Sequence, residues 1–539
     1  MDGNGVSITD HFPSGLTVVE ISDPIYHYAR VISNTRFGHM PKYIVYCENA
    51  KDVQWCLAYC REKKLPFRVR SGGHQHEGMS SGNGVMIIDL SKMDTIEYTT
   101  EDEAWIPVGK QLGKVYEELE TKGRIIPGGG CQSVNVGGLT QGGGWGLSIR
   151  KFGMTCDSVL ECEIVLPDGT IERPSFTNRP DLFKALKGGG GGNFGVVTRF
   201  KFKLASLKPV TTSFALLWDS PDDAKAVMKI WTYLHNASNK LDVNLSTACG
   251  MMVADPKDAT LPEGHLSAVH TRMGGLFYGS KGDLLDLLRE HFGSLIPDES
   301  GFVSLEEKHY GTDQIKRSKS ATQGISLSKH QSRIADFVNP TAPLHNPLHT
   351  TTSCGDRGLR ILPDAPSSTC DRPHPHKVTS GFPKNTDKEA HVKLVDAIYD
   401  FLGKTCFYSD VNRYMSFHCL GGAVTENTES RIFAFHDKPY MLQIQCWWDD
   451  AGNAFTNVSR NKAYVQWVAS FREHISPMIE GAFINFVDRD LVPNPETPEG
   501  RLKLLGIYYG EKNLEELRKI KTEVDSEHFF YFEMSIPPY

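Results

Sequence analysis

An α+β chain with more than one domain is what this sequence predicts, on three observations. Its 539 residues exceed what one simple core fills, so two domains are expected. From about Ile44 to Leu204, helical spacing and strand alternation take turns. Glycine-rich connections join those elements, and the glycine clusters thin out after Leu204.

The first elements follow from side-chain spacing. Val53, Cys56, Leu57 and Cys60 recur at helical intervals, and Phe67 to Val69 reads as the strand that follows. Ile87-Ile88-Asp89-Leu90-Ser91 reads as the next strand. Leu112, Val115, Tyr116 and Leu119 mark a second amphipathic helix, with Gly123 where a C-cap is expected. From Thr198 on, Phe200, Phe202 and Leu204 alternate with Arg199, Lys201 and Lys203, the pattern of a half-buried strand. Residues 205–335 mix helical stretches, such as Asp283 to Leu288, with short strands. The Pro/His/Ser-rich run from Asn339 to Lys384 has no sustained period and reads as a long loop. Strands return over 409–450, including Phe433 to Phe435 and Leu442 to Cys446. A helix from Leu514 to Val524 and an aromatic strand from Phe529 to Phe532 close the chain. There is no internal repeat.

Composition narrows the function classes. A chain 40% apolar and 23% charged is an ordinary soluble enzyme. A net charge of -7, with no Lys/Arg block, argues against a nucleic-acid partner. Twelve cysteines do not make a disulfide scaffold. No run reaches the ~18–20 apolar residues of a membrane span, so no membrane partner is expected. Met1-Asp2-Gly3-Asn4-Gly5 lacks a basic and then apolar leader, so the expected compartment is the cytoplasm.

Three glycine runs carry the chemistry. The first is Arg70-Ser71-Gly72-Gly73-His74-Gln75-His76-Glu77-Gly78. The second is Pro127-Gly128-Gly129-Gly130-Cys131-Gln132-Ser133-Val134-Asn135-Val136-Gly137-Gly138-Leu139, continued by Gln141 to Gly146. The third is Gly188 to Gly192, running into Asn193-Phe194-Gly195-Val196-Val197. Each glycine inside a helix or strand costs about 1 kcal/mol relative to alanine, so such runs belong to loops. Lacking Cβ, they let backbone N–H groups approach a large anionic ligand. The second run is not a Rossmann fingerprint, because no helix pattern starts inside it. On its own, His74 would be a turn residue and Cys131 a buried thiol.

Taken together and in this order, the runs resemble the berberine-bridge-enzyme-like branch of the vanillyl-alcohol-oxidase flavoproteins. The resemblance is dense over 40–205 and 414–539 and weak over 206–410. It implies a PCMH-type FAD-binding domain over 1–205, a substrate domain over 206–488 with an antiparallel sheet backed by helices, and a segment over 489–539 returning to the FAD domain. It implies FAD attached through both His74, at the 8α-methyl, and Cys131, at C6. Arg70, Ser71, Gly72 and Gly73 would cradle it from the first run. Val134, Gly137, Gly138, Gly143, Gly144 and Gly146 would do so from the second, Gly192, Asn193 and Val197 from the third, and Asn485 from the C-terminal signature. His76 receives no role.

Phe417 to Ala423 and Leu442 to Trp448 resemble the two family strands that face the flavin ring. Residues two apart share a strand face, so Ser416 points with His418, and Gln443 with Gln445. The family usually has tyrosine at Phe483 and Phe486, one of which often deprotonates the substrate, and a histidine is common at Leu139. Phenylalanine cannot accept a proton, so His418 is the expected base, with Gln443 and Gln445 orienting the substrate.

The implied reaction is hydride transfer from an alcohol or specialised metabolite to FAD, with O2 reduced to H2O2. Val134 implies room for O2, although Asn135 replaces a usual neighbouring glycine. The alternatives are a non-redox cyclase using FAD as scaffold, and a sugar oxidase or dehydrogenase. No metal is expected. His345, His349, Cys354, Cys370, His374 and His376 crowd the Pro-rich run without zinc-site spacing.

Overall fold

The computed structural model describes residues 12–236, 240–254, 268–310, 373–408, 410–449 and 454–539. His345, His349, Cys354 and Cys370 therefore lie outside the described residues. Two large cores organise the chain. One gathers residues from Phe12 to Leu204 with Ala482 to Ile536, and the other is built mainly from Phe214 to Phe483.

The first core carries two sheets. The strands Thr17–Glu20, Tyr43–Tyr46, Met86–Asp89 and Phe67–Arg70 form one in that order, parallel except for its first pair. Glu97–Tyr98, Glu103–Pro107, Val196–Lys203, Val159–Val165 and Ile171–Glu172 form an antiparallel second. The helix Ala50–Lys63 starts at Asn49, whose side chain accepts from the Lys51 and Asp52 amides in a capping box. It buries Val53, Cys56, Leu57 and Cys60, the residues whose spacing predicts it. Arg70 and Asp89 are register partners on adjacent strands, and their side chains form a fully buried ion pair at 2.5 Å.

The second core backs an eight-stranded antiparallel sheet. Its order is Ser304–His309, Val210–Trp218, Ala268–Phe277, Leu245–Ala254, Val411–Cys419, Tyr440–Trp448, His376–Pro383 and Ile479–Glu480. The helices Pro221–Leu234, Lys388–Gly403 and Ala454–Ile475 cover one face. Trp231 is fully buried there, 5.8 Å from the Phe417 ring, and its indole donates to Thr247. Phe417 alternates with Ser416 and His418, so those two point to the uncovered face.

Two hydrogen-bonded links set that face against the first core. The Trp145 indole donates to the Cys419 carbonyl at 2.8 Å, and buried Arg150 donates to the Leu420 and Leu241 carbonyls at 3.0 and 2.9 Å. A buried guanidinium is tolerated only when so bonded.

Several expectations give way. Residues 376–383, read as loop, form a wholly buried strand. The sheet supplies the order that its Pro, Gly and His content does not. Phe529 to Phe532 is not a strand. The Asp525 carboxylate accepts from the Phe529 and Phe530 amides at 2.8 and 2.9 Å, replacing a ladder. Phe433 to Phe435 lies in a turn, where Phe435 stacks on Phe382. The strands within 205–335 are long, up to ten residues. A six-residue helix, Val136–Gln141, does begin inside the second glycine run. The last helix spans Pro498–Val524 and is broken at Gly510, where φ is 71°. Gly123 is not the cap. Thr121 caps that helix, and Gly123 follows at φ 66°.

Replacing Arg70 strands the Asp89 carboxylate in the core, so Arg70→Leu should cost about 3–5 kcal/mol of unfolding free energy. Urea titration measures it, and a midpoint equal to wild type would contradict this role.

Candidate functional site

A cavity of about 370 Å³ lies between the glycine loops and the open face of the large sheet. That volume is within the range of small-molecule and cofactor sites. Ser71, Gly72, Gly73 and His74 line it from the first run, and Cys131, Val134, Gly137 and Gly138 from the second. Gly192, Asn193 and Val197 line it from the third, with Asn485 from the C-terminal segment. His418, Gln443 and Gln445 line it from the sheet.

The loops are held by their own hydrogen bonds. His74 Nε2 is 2.9 Å from Ser133 Oγ, which ties the first run to the second two residues beyond Cys131. Ser71 donates to the Val108 carbonyl at 2.6 Å. The Gln141 carbonyl accepts from the Gly188 and Gly190 amides, both at 2.9 Å, which ties the second run to the third. Asn193 holds the third run through Gly189 and accepts from the Ile536 amide at 2.9 Å. Asn485 donates to the Leu139 carbonyl at 3.1 Å.

Four expected cradle residues do not reach the cavity. Arg70 binds Asp89 through Nε and does not line the cavity. A Cβ at Gly143 would meet Met154 at 2.6 Å, one at Gly144 would meet Thr155 at 2.3 Å, and one at Gly146 would meet the Gly128 carbonyl oxygen at 1.7 Å. These glycines serve close packing behind the wall. At Gly138 a Cβ would meet nothing within 4 Å, and at Gly192 only Phe532 at 3.7 Å. Bare backbone at those two positions faces open space, a cradle that suits a large cofactor such as FAD. Val134 is half-buried at the wall, and the Asn135 amide is turned onto the Gly109 carbonyl at 2.6 Å.

The sheet face is a connected polar network. His418 Nε2 lies 3.0 Å from Gln443 Oε1 and 3.1 Å from Ser416 Oγ. Gln445 donates to Ser416 at 2.9 Å, and it accepts from Tyr414 at 3.1 Å and the Trp447 indole at 3.0 Å. Burial lowers the His418 pKa to about 4 against support from Gln443. Its Nδ1 is buried without a partner among the described residues. The unperturbed value near 6.5 assumed from sequence therefore does not hold, because the strand places His418 under Trp145, ring centres 4.4 Å apart. Phe483 and Phe486 both line the cavity, 5.4 Å apart, and so does Leu139.

Sequence reasoning left other lining groups unassigned. His76 lines the cavity, and Trp145, Trp447 and Tyr509 add aromatic wall. The signal for His76 was present in the first run. Its partner strand, read as loop, hid its significance. Among the described residues no cluster of His, Cys, Asp and Glu could hold a metal, and no helix is long and apolar enough to cross a membrane.

Comparisons with known proteins agree with this architecture. The FAD binding domain family model matches residues 41–175, and the berberine and berberine-like model matches 482–537. An uncharacterized FAD-linked oxidoreductase, YgaK, of Bacillus subtilis is 28% identical, covering 97% of this chain and 96% of its own. A tetrahydroberberine oxidase of Berberis wilsoniae is also 28% identical, covering 93% and 86%. The structure of BBE-like #28 from Arabidopsis thaliana superposes with a TM-score of 0.74 at 24% identity, covering 97% of this chain and 98% of that one. Berberine bridge enzyme from Eschscholzia californica superposes at 0.72 with 19% identity, covering 98% and 97%. Fold and matched domains define an FAD-binding oxidoreductase of the α+β PCMH type. Within that class the chain is similar over nearly its whole length to berberine-bridge-enzyme-like FAD-linked oxidoreductases.

The buried histidines predict a pH effect on stability. Burial lowers the pKa of His76 to about 3 and of His418 and His528 to about 4, and holds His235 and His376 well below the usual value. The unfolded chain, with pKa near 6.5, then binds more protons than the native one. The histidine contribution is complete above about pH 6.5 and is lost as pH falls toward 4 and 3. The urea midpoint should fall between pH 7 and pH 5, above the carboxylate range. Equal midpoints at those two pH values would refute it.

Proposed function

We propose that this protein is an FAD-dependent oxidase, with the flavin attached through His74 and Cys131, that takes hydride from an alcohol or specialised-metabolite substrate and reduces O2 to H2O2. The observation that carries the reading is that His74 and Cys131 lie in the wall of one cavity whose opposite wall is the polar face of the sheet. When bound, the flavin supplies the two-electron acceptor. The protein supplies attachment, position and proton handling. Ser133 sets the rotation of the His74 ring. Gln443 and Gln445 offer hydrogen bonds to a substrate hydroxyl, Ser416 holds them from behind, and His418 joins them as a neutral partner.

The walls also favour a class of substrate. Trp145, Trp447, Phe483 and Phe486 give it apolar surface, no Asp, Glu or Lys occurs among the described lining residues, and Arg68, which does line it, is paired with Glu533. A neutral molecule with an apolar body and a hydroxyl fits this surface better than an ionised one. Val134 at the wall supports O2 as the acceptor.

Acid-precipitated protein should stay yellow, and the peptides bearing His74 and Cys131 should carry one flavin mass. Release of all flavin into the supernatant would end the covalent reading. His74→Ala should keep a thioether-linked flavin with reduced turnover. An H2O2 assay across sugars, aromatic alcohols and polycyclic hydroxylated metabolites should show oxidation of neutral apolar alcohols. Flavin that bleaches with such an alcohol without O2, yet takes many minutes to reoxidise in air, would make the protein a dehydrogenase.

A further inference from the structure

Two histidines outside the chemistry above are bonded to each other at the cavity wall. His76 Nδ1 lies 2.9 Å from His376 Nε2. His376 Nδ1 lies 2.9 Å from the His374 carbonyl oxygen. A carbonyl only accepts, so His376 Nδ1 carries its hydrogen. In a neutral His376, Nε2 is then a lone pair and accepts from His76 Nδ1–H. The lone pair of His76 is thereby fixed on Nε2. That nitrogen has no hydrogen-bond partner among the described residues, and His76 itself lines the cavity. An imidazole whose second nitrogen is held by an orienting group has the arrangement of a positioned general base.

The pair is rigid and neutral. Trp447 stacks on His376 with centroids 3.9 Å apart. Asn34 donates to the His76 and His376 carbonyls at 2.6 and 3.0 Å and accepts from the His376 amide at 3.1 Å. Burial keeps both rings unprotonated, aided at His76 by His74 and Lys377, and at His376 by His76, Arg36 and His374. The acids nearby are Glu77, Asp488 and Asp490, all paired with Lys377.

The other cavity groups are poorer acceptors. Phe483 and Phe486 have no basic atom. The Tyr414 hydroxyl donates to Gln445, and His418 has one nitrogen in the Gln443 and Ser416 network and the other buried. The His76 ring lies 6.1 Å from that of Phe486, on the same wall.

We propose that His76 Nε2 is the catalytic proton acceptor and that His376 is the positioning residue that fixes its tautomer. The inference rests on the oxidase reading. The substrate O–H bond breaks as Nε2–H forms. The adjacent C–H bond breaks with its electron pair leaving as hydride to the flavin, and C=O forms. As Nε2 gains its proton, the Nδ1 proton can pass to His376 Nε2, so the charge is shared by two rings.

Histidine-selective 15N spectra of the holoenzyme test the geometry independently of turnover. The resonance that His76→Gln removes should show the Nδ1–H tautomer at pH 7. It should keep that tautomer in His376→Gln, whose amide oxygen can accept from Nδ1–H, and lose it in His376→Leu. A wild-type His76 protonated on Nε2 would overturn the proposal. With the panel alcohol that reduces the wild type, His76→Gln should lose ~100-fold or more in flavin reduction, the scale of a removed general base, at unchanged flavin content. His376→Leu should also slow reduction, and His376→Gln should restore it. Near-wild-type reduction in His76→Gln would overturn the assignment. If no alcohol reduces the wild type, the oxidase reading fails, and the spectra still decide where the lone pair lies.

Discussion

The ammonium of Lys377 is the point on which the rest of the site depends. It sits 1% exposed and within 2.8 Å of Glu77, 2.5 Å of Asp488 and 2.8 Å of Asp490. These three carboxylates come from the first glycine run and the C-terminal segment, while Lys377 comes from the large sheet. Burial works to lower the Lys377 pKa, but the carboxylates outweigh it and hold the pKa above its usual value. Arg36 adds a second cation on Glu77 at 3.1 Å. Such a cluster contributes modest net stability, because desolvating each charge costs several kcal/mol. Removing one member is far costlier than replacing them all. Its effect is therefore geometric. It sets the register of 376–383 against the loop that carries His74 and His76.

The cavity follows from that register. One wall is backbone, because the glycine runs bring main chain rather than side chains to the surface. The other wall is side chain, because a strand presents alternate residues to one face. Helices occupy the opposite face of the sheet with Trp231 and Phe417. The polar residues of Val411–Cys419 and Tyr440–Trp448 are thus left to bond one another. Buried polar groups are costly unless satisfied, and the network around Ser416, Gln443 and Gln445 meets nearly all of its own demand. The open valence at the wall is on His76.

The legible parts of the sequence were those in which local chemistry and fold agree. Glycine runs disfavour long helices and strands, so three loops stood out at once, although the second run also holds the short helix Val136–Gln141, and His74, Cys131 and Asn193 line one cavity. The alternation from Thr198 to Leu204 and the shared faces of Ser416/His418 and Gln443/Gln445 also follow from the period of a strand. What was not legible depends on distant partners. His376–Pro383 carries Pro, Gly and Lys and has no strand signature. It is ordered only because Tyr440–Trp448 and Ile479–Glu480 flank it. Phe529 to Phe532 has the composition of a strand, yet Asp525 takes up two of its amides. Arg70 looked like part of the cradle because it stands beside one. Its register partner Asp89 decided otherwise.

The basicity of the wall histidines also lies beyond sequence. A histidine taken at its solution pKa suits a base near neutral pH, and on that footing His418 was the natural choice. Burial alters the comparison, because the protonated ring loses its hydration and gains little in return. His418 and His76 are both depressed, so low basicity does not separate them. Access and tautomer do. His418 has Nε2 tied sideways within the sheet and Nδ1 buried without a partner among the described residues, whereas the hydrogen bonds of His76 run backward through His376 to a carbonyl that can only accept. The same strand that Lys377 pins by charge thus delivers, one residue earlier, the imidazole that aims His76.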